Sequence, residues 1–222
     1  MRNYFPLPPN GCPIKILPAV CLATLRLSSR LPRTTLGCHT PPVNAELQQA
    51  LIQLDFARAT ELLRAGADIN ARNQYGESLL RVVMSPICDA TERRALVTFM
   101  LQHGADPRLV SPDGSGPLFC AVLGQDTAVL RLLLDHGANP NREPADGETL
   151  YEYAEFDYRH ETYDLKLPEE PTEADRATEN AWLQFLDRLA LKHGRRRPDH
   201  LILLRERGAL TTDEQQQPPA KP

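Results

Sequence analysis

The sequence predicts an all-α solenoid in which short helical hairpins stack side by side. Three observations carry that prediction. The tripeptides Gly66-Ala67-Asp68, Gly104-Ala105-Asp106 and Gly137-Ala138-Asn139 recur at intervals of 38 and 33 residues. A second glycine follows each one ten residues later, at Gly76, Gly114 and Gly147, with the same two intervals. Ahead of each tripeptide runs a segment whose apolar residues fall at i, i+3 and i+4, as in Val129, Leu132 and Leu133, which makes one face of a helix. A fixed period of this length marks a repeat architecture, in which each unit buries its apolar face against its neighbours.

The elements follow in order. The first unit, about 44–70, pairs an inner helix over Ala45–Ile52 with an outer helix over Phe56–Ala65; Glu46, Gln48 and Gln49 suit a terminal repeat with one wet face. The second, 71–108, opens on Ser78-Leu79-Leu80-Arg81, stops its first helix at Pro86, and starts its second behind Asp89 and Glu92, a capping-box pair. Its extra residues fall in the loop between those helices, where insertions cost little. The third, 109–141, is the most regular, with Gly124 between its helices.

The fourth unit departs from the pattern. The next glycine-terminated helix runs from Asp175 to His193, so a fourth unit over 142–194 with an insertion at 155–175 is predicted. A capping helix at 198–208 then closes a repeat domain spanning 43–210. Residues 211–222, rich in Gln and Pro, read as a disordered tail.

These residues resemble the ankyrin family. Its Thr-Pro-Leu-His tetrapeptide survives here in worn form as Ser78-Leu79-Leu80-Arg81, Gly116-Pro117-Leu118-Phe119 and Thr149-Leu150-Tyr151-Glu152. The resemblance implies a concave groove, lined by inner helices and turn tips, that binds a protein. By that resemblance the turn-tip contacts are Arg72, Gln74, Tyr75, Arg108, Asp113, Arg142 and Asp146. The inner-helix contacts are Arg81, Phe119, Tyr151 and Glu155.

Composition narrows the function. Net charge is −4, whereas nucleic-acid binders usually present a basic face, so no nucleic-acid partner is expected. No apolar run is long enough to span a bilayer, and no membrane association is expected. Residues 1–42 hold no acid, five basic residues and a short apolar stretch broken by Pro18; they read as a disordered leader, with a targeting segment as the alternative. The five cysteines are scattered, with no zinc-type spacing, and read as reduced thiols, Cys88 and Cys120 among them as buried or half-buried small groups. A cytoplasmic location is therefore expected, or secretion if residues 1–42 are a targeting segment.

No nucleotide loop, nucleophile elbow or metal-binding helix motif occurs, so neither catalysis nor a cofactor is expected. His103, His136 and His193 each precede a helix-ending glycine, a position that suits capping. The segment from Tyr151 to Asp175 is rich in acids and tyrosines, and Tyr151, Glu152, Tyr153, Glu155, Phe156, Asp157 and Tyr158 form a candidate contact surface for a basic protein. The alternative is that Tyr151, Tyr153 and Phe156 pack an inner helix while the acids solvate a loop. The expected function is protein binding, as a stoichiometric inhibitor or immunity-type protein, by a chain that is monomeric when unbound; the alternative is a structural or assembly adaptor.

Overall fold

The computed structural model describes residues 42–141 and 148–216, apart from the side chains of Pro42 and Val43. The predicted leader lies outside the described residues up to position 41. Ten helices occur among the described residues: α1 (Pro42–Ile52), α2 (Phe56–Arg64), α3 (Leu79–Met84), α4 (Ala90–Gln102), α5 (Pro117–Leu123), α6 (Thr127–Asp135), α7 (Leu150–Tyr163), α8 (Glu179–Lys192), α9 (Asp199–Glu206) and α10 (Thr212–Gln216). Extended pairing there is confined to one isolated bridge between Arg72 and Ser78.

Local chemistry sets the helix starts. Asp55, Ser78, Asp89, Asp126, Thr149 and Thr178 each accept, through a side-chain oxygen, a backbone N–H of the first turn that has no intrahelical partner. The ends are equally uniform. Gly66, Gly104, Gly137 and Gly208 take left-handed φ values of 96°, 85°, 89° and 81°. The following alanine then donates back to a carbonyl of the last turn: Ala67 to Leu62, Ala105 to Met100, Ala138 to Leu133 and Ala209 to Leu204. This closure satisfies carbonyls that the helix itself leaves open, and glycine adopts the required conformation without a Cβ penalty.

Two layers result. Helices α1, α3, α5 and α7 pack in sequence as the inner layer, while α4, α6 and α9 are successive neighbours in the outer one. Helix α2 joins that outer layer through Phe56, whose ring stacks on Phe99 of α4 at 4.7 Å between centroids. The core between the layers is aliphatic: Leu47, Leu51, Leu80, Leu96, Met100, Leu130 and Leu133 are all fully buried.

The fourth unit differs from expectation. Its outer helix is α9, which packs on both α6 and α7; α8 is the inserted element. The repeat therefore ends at Gly208, 71 residues after Gly137 (208 − 137), rather than at Gly194. Both glycines close a helix by the same backbone geometry, since Arg195 donates to Ala190 just as Ala209 donates to Leu204. The local ending signal thus cannot tell them apart. The predicted Thr172–Asp175 box does form, with reciprocal bonds of 3.2 and 3.0 Å, but it closes a turn. Helix α8 starts later, behind Thr178. Leu183, Phe185, Leu186, Leu189 and Ala190 of α8 are buried.

Two further expectations are corrected. The predicted tail begins with α10, because Glu152 accepts from both the backbone N–H and the hydroxyl of Thr212, and Arg205 forks onto Glu214. Residues 217–222 lie outside the described residues. Cys88 is exposed in the loop that Pro86 opens rather than buried or half-buried.

Candidate partner-binding surface

The turn tips are built by short polar side chains. Asn73 Oδ1 accepts from the N–H groups of Tyr75 and Glu77 at 2.9 and 3.0 Å, folding the first tip tightly. Gly76 completes it at φ 76°, where a Cβ would stand 3.0 Å from Pro112 of the next tip. Arg72, predicted as a contact, is partly spent on this frame: its guanidinium donates to the carbonyls of Gly76 and Val110. Gln74 and Tyr75 project outward, Tyr75 with 54% of its surface exposed. In the second tip Asp113 accepts from the N–H and hydroxyl of Ser115. Arg108 is exposed but turned back onto Asp106 at 2.8 Å, and its hydrogen bond holds the Asp106 carboxyl below the usual carboxylate range. Arg142, Asp146 and Gly147 lie outside the described residues.

On the inner layer the predicted set divides by burial. Arg81, Tyr151 and Tyr158 are buried and cannot meet a partner. Arg81 is ion-paired to Glu77, one helical turn back. Tyr151 lies against the Arg205 guanidinium, 5.3 Å from its ring centre, and Tyr158 donates its hydroxyl to the Arg196 carbonyl at 2.6 Å. Burial raises the phenol pKa of both tyrosines well above its ordinary value. Phe119 and Tyr153 are half-buried against the core, and Phe156 is exposed. The rings of Phe119 on α5 and Tyr153 on α7 meet at 5.0 Å. Phe156, the next accessible aromatic along α7, is 43% exposed and lies over His160.

The acids from Tyr151 to Asp175 form internal bonds almost throughout. Glu152 closes a capping box with Thr149 and also holds Thr212. Burial pushes its carboxyl up, but the bonds from Thr212 and Thr149 outweigh burial and leave it below the usual range. Glu155 pairs with Arg159 and accepts the Trp182 indole N–H at 2.8 Å. Asp157 accepts from Gln125, Glu169 meets Lys192 and His193, Glu170 meets Arg176, and Asp175 meets Arg188. Glu161 sits 3.8 Å from His160. Among the described residues only Asp164 and Glu173 of this segment lack a side-chain partner. Several of these partners sit on the inserted α8, so the charge that suggested a basic partner is largely neutralised within the fold.

The remaining sequence candidates are also accounted for. His103 and His136 each place Nδ1 at 2.8 Å from the carbonyl four residues earlier, the capping role their repetition predicts. His193 breaks that pattern and turns its Nε2 to Glu169. Of the Arg195–Arg197 triplet, Arg196 donates to the Gln125 carbonyl and Arg197 forks onto Asp187. Among the described residues no group of three His, Cys, Asp or Glu side chains is placed to hold a metal ion, and no helix is long and apolar enough to cross a membrane.

Paired helices in two layers, joined by glycine-closed turns, agree with the sequence comparisons. Residues 113–143 match the family model for the ankyrin repeat. A 120-residue stretch, 53% of this chain, is 28% identical to an ankyrin repeat protein of Acanthamoeba polyphaga mimivirus. A 63-residue stretch, 28% of this chain, is 39% identical to an ankyrin repeat-containing protein of Treponema pallidum (strain Nichols). The chain contains ankyrin repeats. It spans only 15% and 21% of the length of those two relatives, so the similarity covers the ankyrin repeats and not the whole proteins. Within this ankyrin-repeat chain, one helix inserted into the fourth repeat is what the family pattern alone does not anticipate.

Proposed function

We propose that this chain binds a partner protein through the accessible aromatic side chains of its inner layer and first turn tip. One observation carries the reading. Tyr75 and Phe156 are exposed and Phe119 and Tyr153 half-buried, while Glu152, Glu155 and Asp157 of α7 are held by partners within the fold. Exposed aromatics are normally withdrawn into a core, and where they persist they supply rigid contact area at low entropic cost. Ankyrin repeats generally serve protein–protein interaction rather than catalysis, and this surface fits that use. The partner surface that matches it is apolar at its centre; the internal pairing of the acids gives no reason to require a basic one.

Affinity capture with the full chain, compared with Tyr75→Ala and Phe156→Ala, tests the proposal. The expected result is a partner recovered by the parent chain and lost by both variants at unchanged thermal stability. Equal recovery by all three chains would move the binding surface elsewhere. Adding the captured partner at equimolar ratio then separates blocking from scaffolding: an inhibitor abolishes the partner's activity, and an adaptor leaves it intact.

A further inference from the structure

Four backbone N–H groups occupy the same place in the four repeats, two residues beyond the helix-ending glycine: Asp68, Asp106, Asn139 and Leu210. An asparagine meets three of them. Asn44 Oδ1 accepts from Asp68 at 3.0 Å, Asn70 Oδ1 from Asp106 at 2.8 Å, and Asn141 Oδ1 from Leu210 at 2.8 Å. Asn70 and Asn141 use both ends of the carboxamide, each also donating Nδ2 to the neighbouring glycine carbonyl, Gly104 at 3.0 Å and Gly208 at 2.7 Å. The residue that would serve Asn139 and Gly137 in the same way stands at position 108, four after its glycine as Asn70 and Asn141 are. It is arginine, and its guanidinium is turned back onto Asp106. Among the described residues no side chain bridges position 108 to Gly137 or Asn139. At this joint lies a cleft of about 250 Å³, lined by Arg108, Val110, Leu118, Phe119, Asn139 and Leu150 among others.

We propose that the joint between Arg108 and Asn139 recognises an Asn or Gln side chain carried on the partner protein, with an adjoining apolar residue seated in the cleft. The inference rests on the protein-binding reading above and names the chemistry of its contact. A carboxamide alone offers what the fold uses at the two other joints, an acceptor for the Asn139 N–H and a donor for the Gly137 carbonyl. A carboxylate would accept at Asn139 but could not donate to the Gly137 carbonyl. An ammonium group would donate but could not accept. Val110, Leu118, Phe119 and Leu150 supply the apolar floor that a neighbouring Leu or Ile would cover.

Nuclear magnetic resonance of the full chain tests this with three capped dipeptides as probes: Ac-Asn-Leu-NHMe, Ac-Asp-Leu-NHMe and Ac-Ala-Leu-NHMe. The Asn139 amide is expected to shift saturably with the asparagine probe, with affinity roughly tenfold above that of the other two. The variant Arg108→Asn places the chain's own carboxamide at the joint. It is expected to lose the response and to slow solvent exchange of the Asn139 amide roughly tenfold. Equal responses to the three probes, or an Arg108→Asn chain that still binds, would overturn the assignment. Capture of the natural partner by both chains separates this proposal from the one it rests on. Loss of capture with Arg108→Asn supports the joint as the contact, and equal capture overturns the joint while protein binding stands. Capture by neither chain removes the protein-binding reading, and the probe titration still decides the chemistry of the joint.

Discussion

Asn141 donates its side-chain amide to the carbonyl of Gly208 at 2.7 Å across 67 residues, the bond that Asn70 makes to Gly104. That pair sets the register of the fourth repeat, because it ties the turn ahead of α7 to the end of α9. Asn141→Ala and Asn70→Ala are each expected to lower stability by about 1 kcal/mol, the usual worth of an exposed two-bond contact. Urea unfolding checks the magnitude. Hydrogen exchange checks the location, with faster exchange along α9 for Asn141→Ala only.

The acids of α7 should behave as structural residues. Glu155→Gln is expected to destabilise by about 1–2 kcal/mol, since the Arg159 pair and the Trp182 indole bond are both half-buried. Trp182→Phe keeps the packing and removes only the N–H, so a double-mutant cycle in thermal unfolding should show coupling between the two positions. Additive losses would mean that the indole bond is no stronger to the carboxylate than to the amide oxygen of glutamine.

Tyr158→Phe and Phe156→Ala should have opposite signatures. The first removes a buried hydroxyl bonded to the Arg196 carbonyl and is expected to cost about 1 kcal/mol of stability with partner capture unchanged. The second removes an exposed ring and is expected to leave stability within about 0.5 kcal/mol while weakening capture. Paired melting and capture measurements on the two variants decide the matter.

The attachment of α10 should depend on pH. Arg205 holds the Glu214 carboxyl below its ordinary value, and the Thr212 and Thr149 bonds do the same for Glu152 against the opposing effect of burial. A carboxyl depressed in the fold contributes stability that is fully present above its unfolded pKa of about 4.3 and is lost as pH falls through the folded value. Exchange of α10 amides is therefore expected to accelerate, beyond the intrinsic pH trend, below about pH 4. Glu214→Gln should flatten that dependence. Glu179 has the opposite sign: burial raises its carboxyl, so its contribution is present below the unfolded value and is lost as pH rises through the folded one. Glu179→Gln should accordingly be neutral or stabilising at pH 7.

Much of the repeat scaffold is legible in the sequence because its signals are local. Capping side chains such as Asp55 and Asp89, and left-handed glycines such as Gly66 and Gly104, act within a few residues of themselves. The fourth repeat is harder to read, because Gly194 ends a helix as well as Gly208 does and only docking separates them. One local signal does differ. Gly66, Gly104, Gly137 and Gly208 are followed by alanine, whereas Gly194 is followed by arginine. The candidate surface is legible only in part. Tyr75, Phe119, Tyr153 and Phe156 sit where helix periodicity and turn position put them. Tyr151 and Tyr158 are seven residues apart, two turns along α7, and share its buried face with Leu150 and Ala154. Both turn inward because α9 covers that face, through Arg205 over Tyr151 and His200 beside Tyr158. The partners of the acids lie up to 60 residues away, as with Glu152 and Thr212, beyond any spacing rule.

The place of α8 in the chain bears on how quickly the fold assembles. Helices α1 with α2, α3 with α4 and α5 with α6 close over short connections, whereas α9 must find α6 and α7 after the chain has passed through α8. Loop closure becomes less favourable as the connection lengthens, by roughly 0.6 kcal/mol for each doubling, and contacts distant in sequence slow the search. The three local hairpins are thus the natural nucleus, and the fourth condenses onto a template they have already formed.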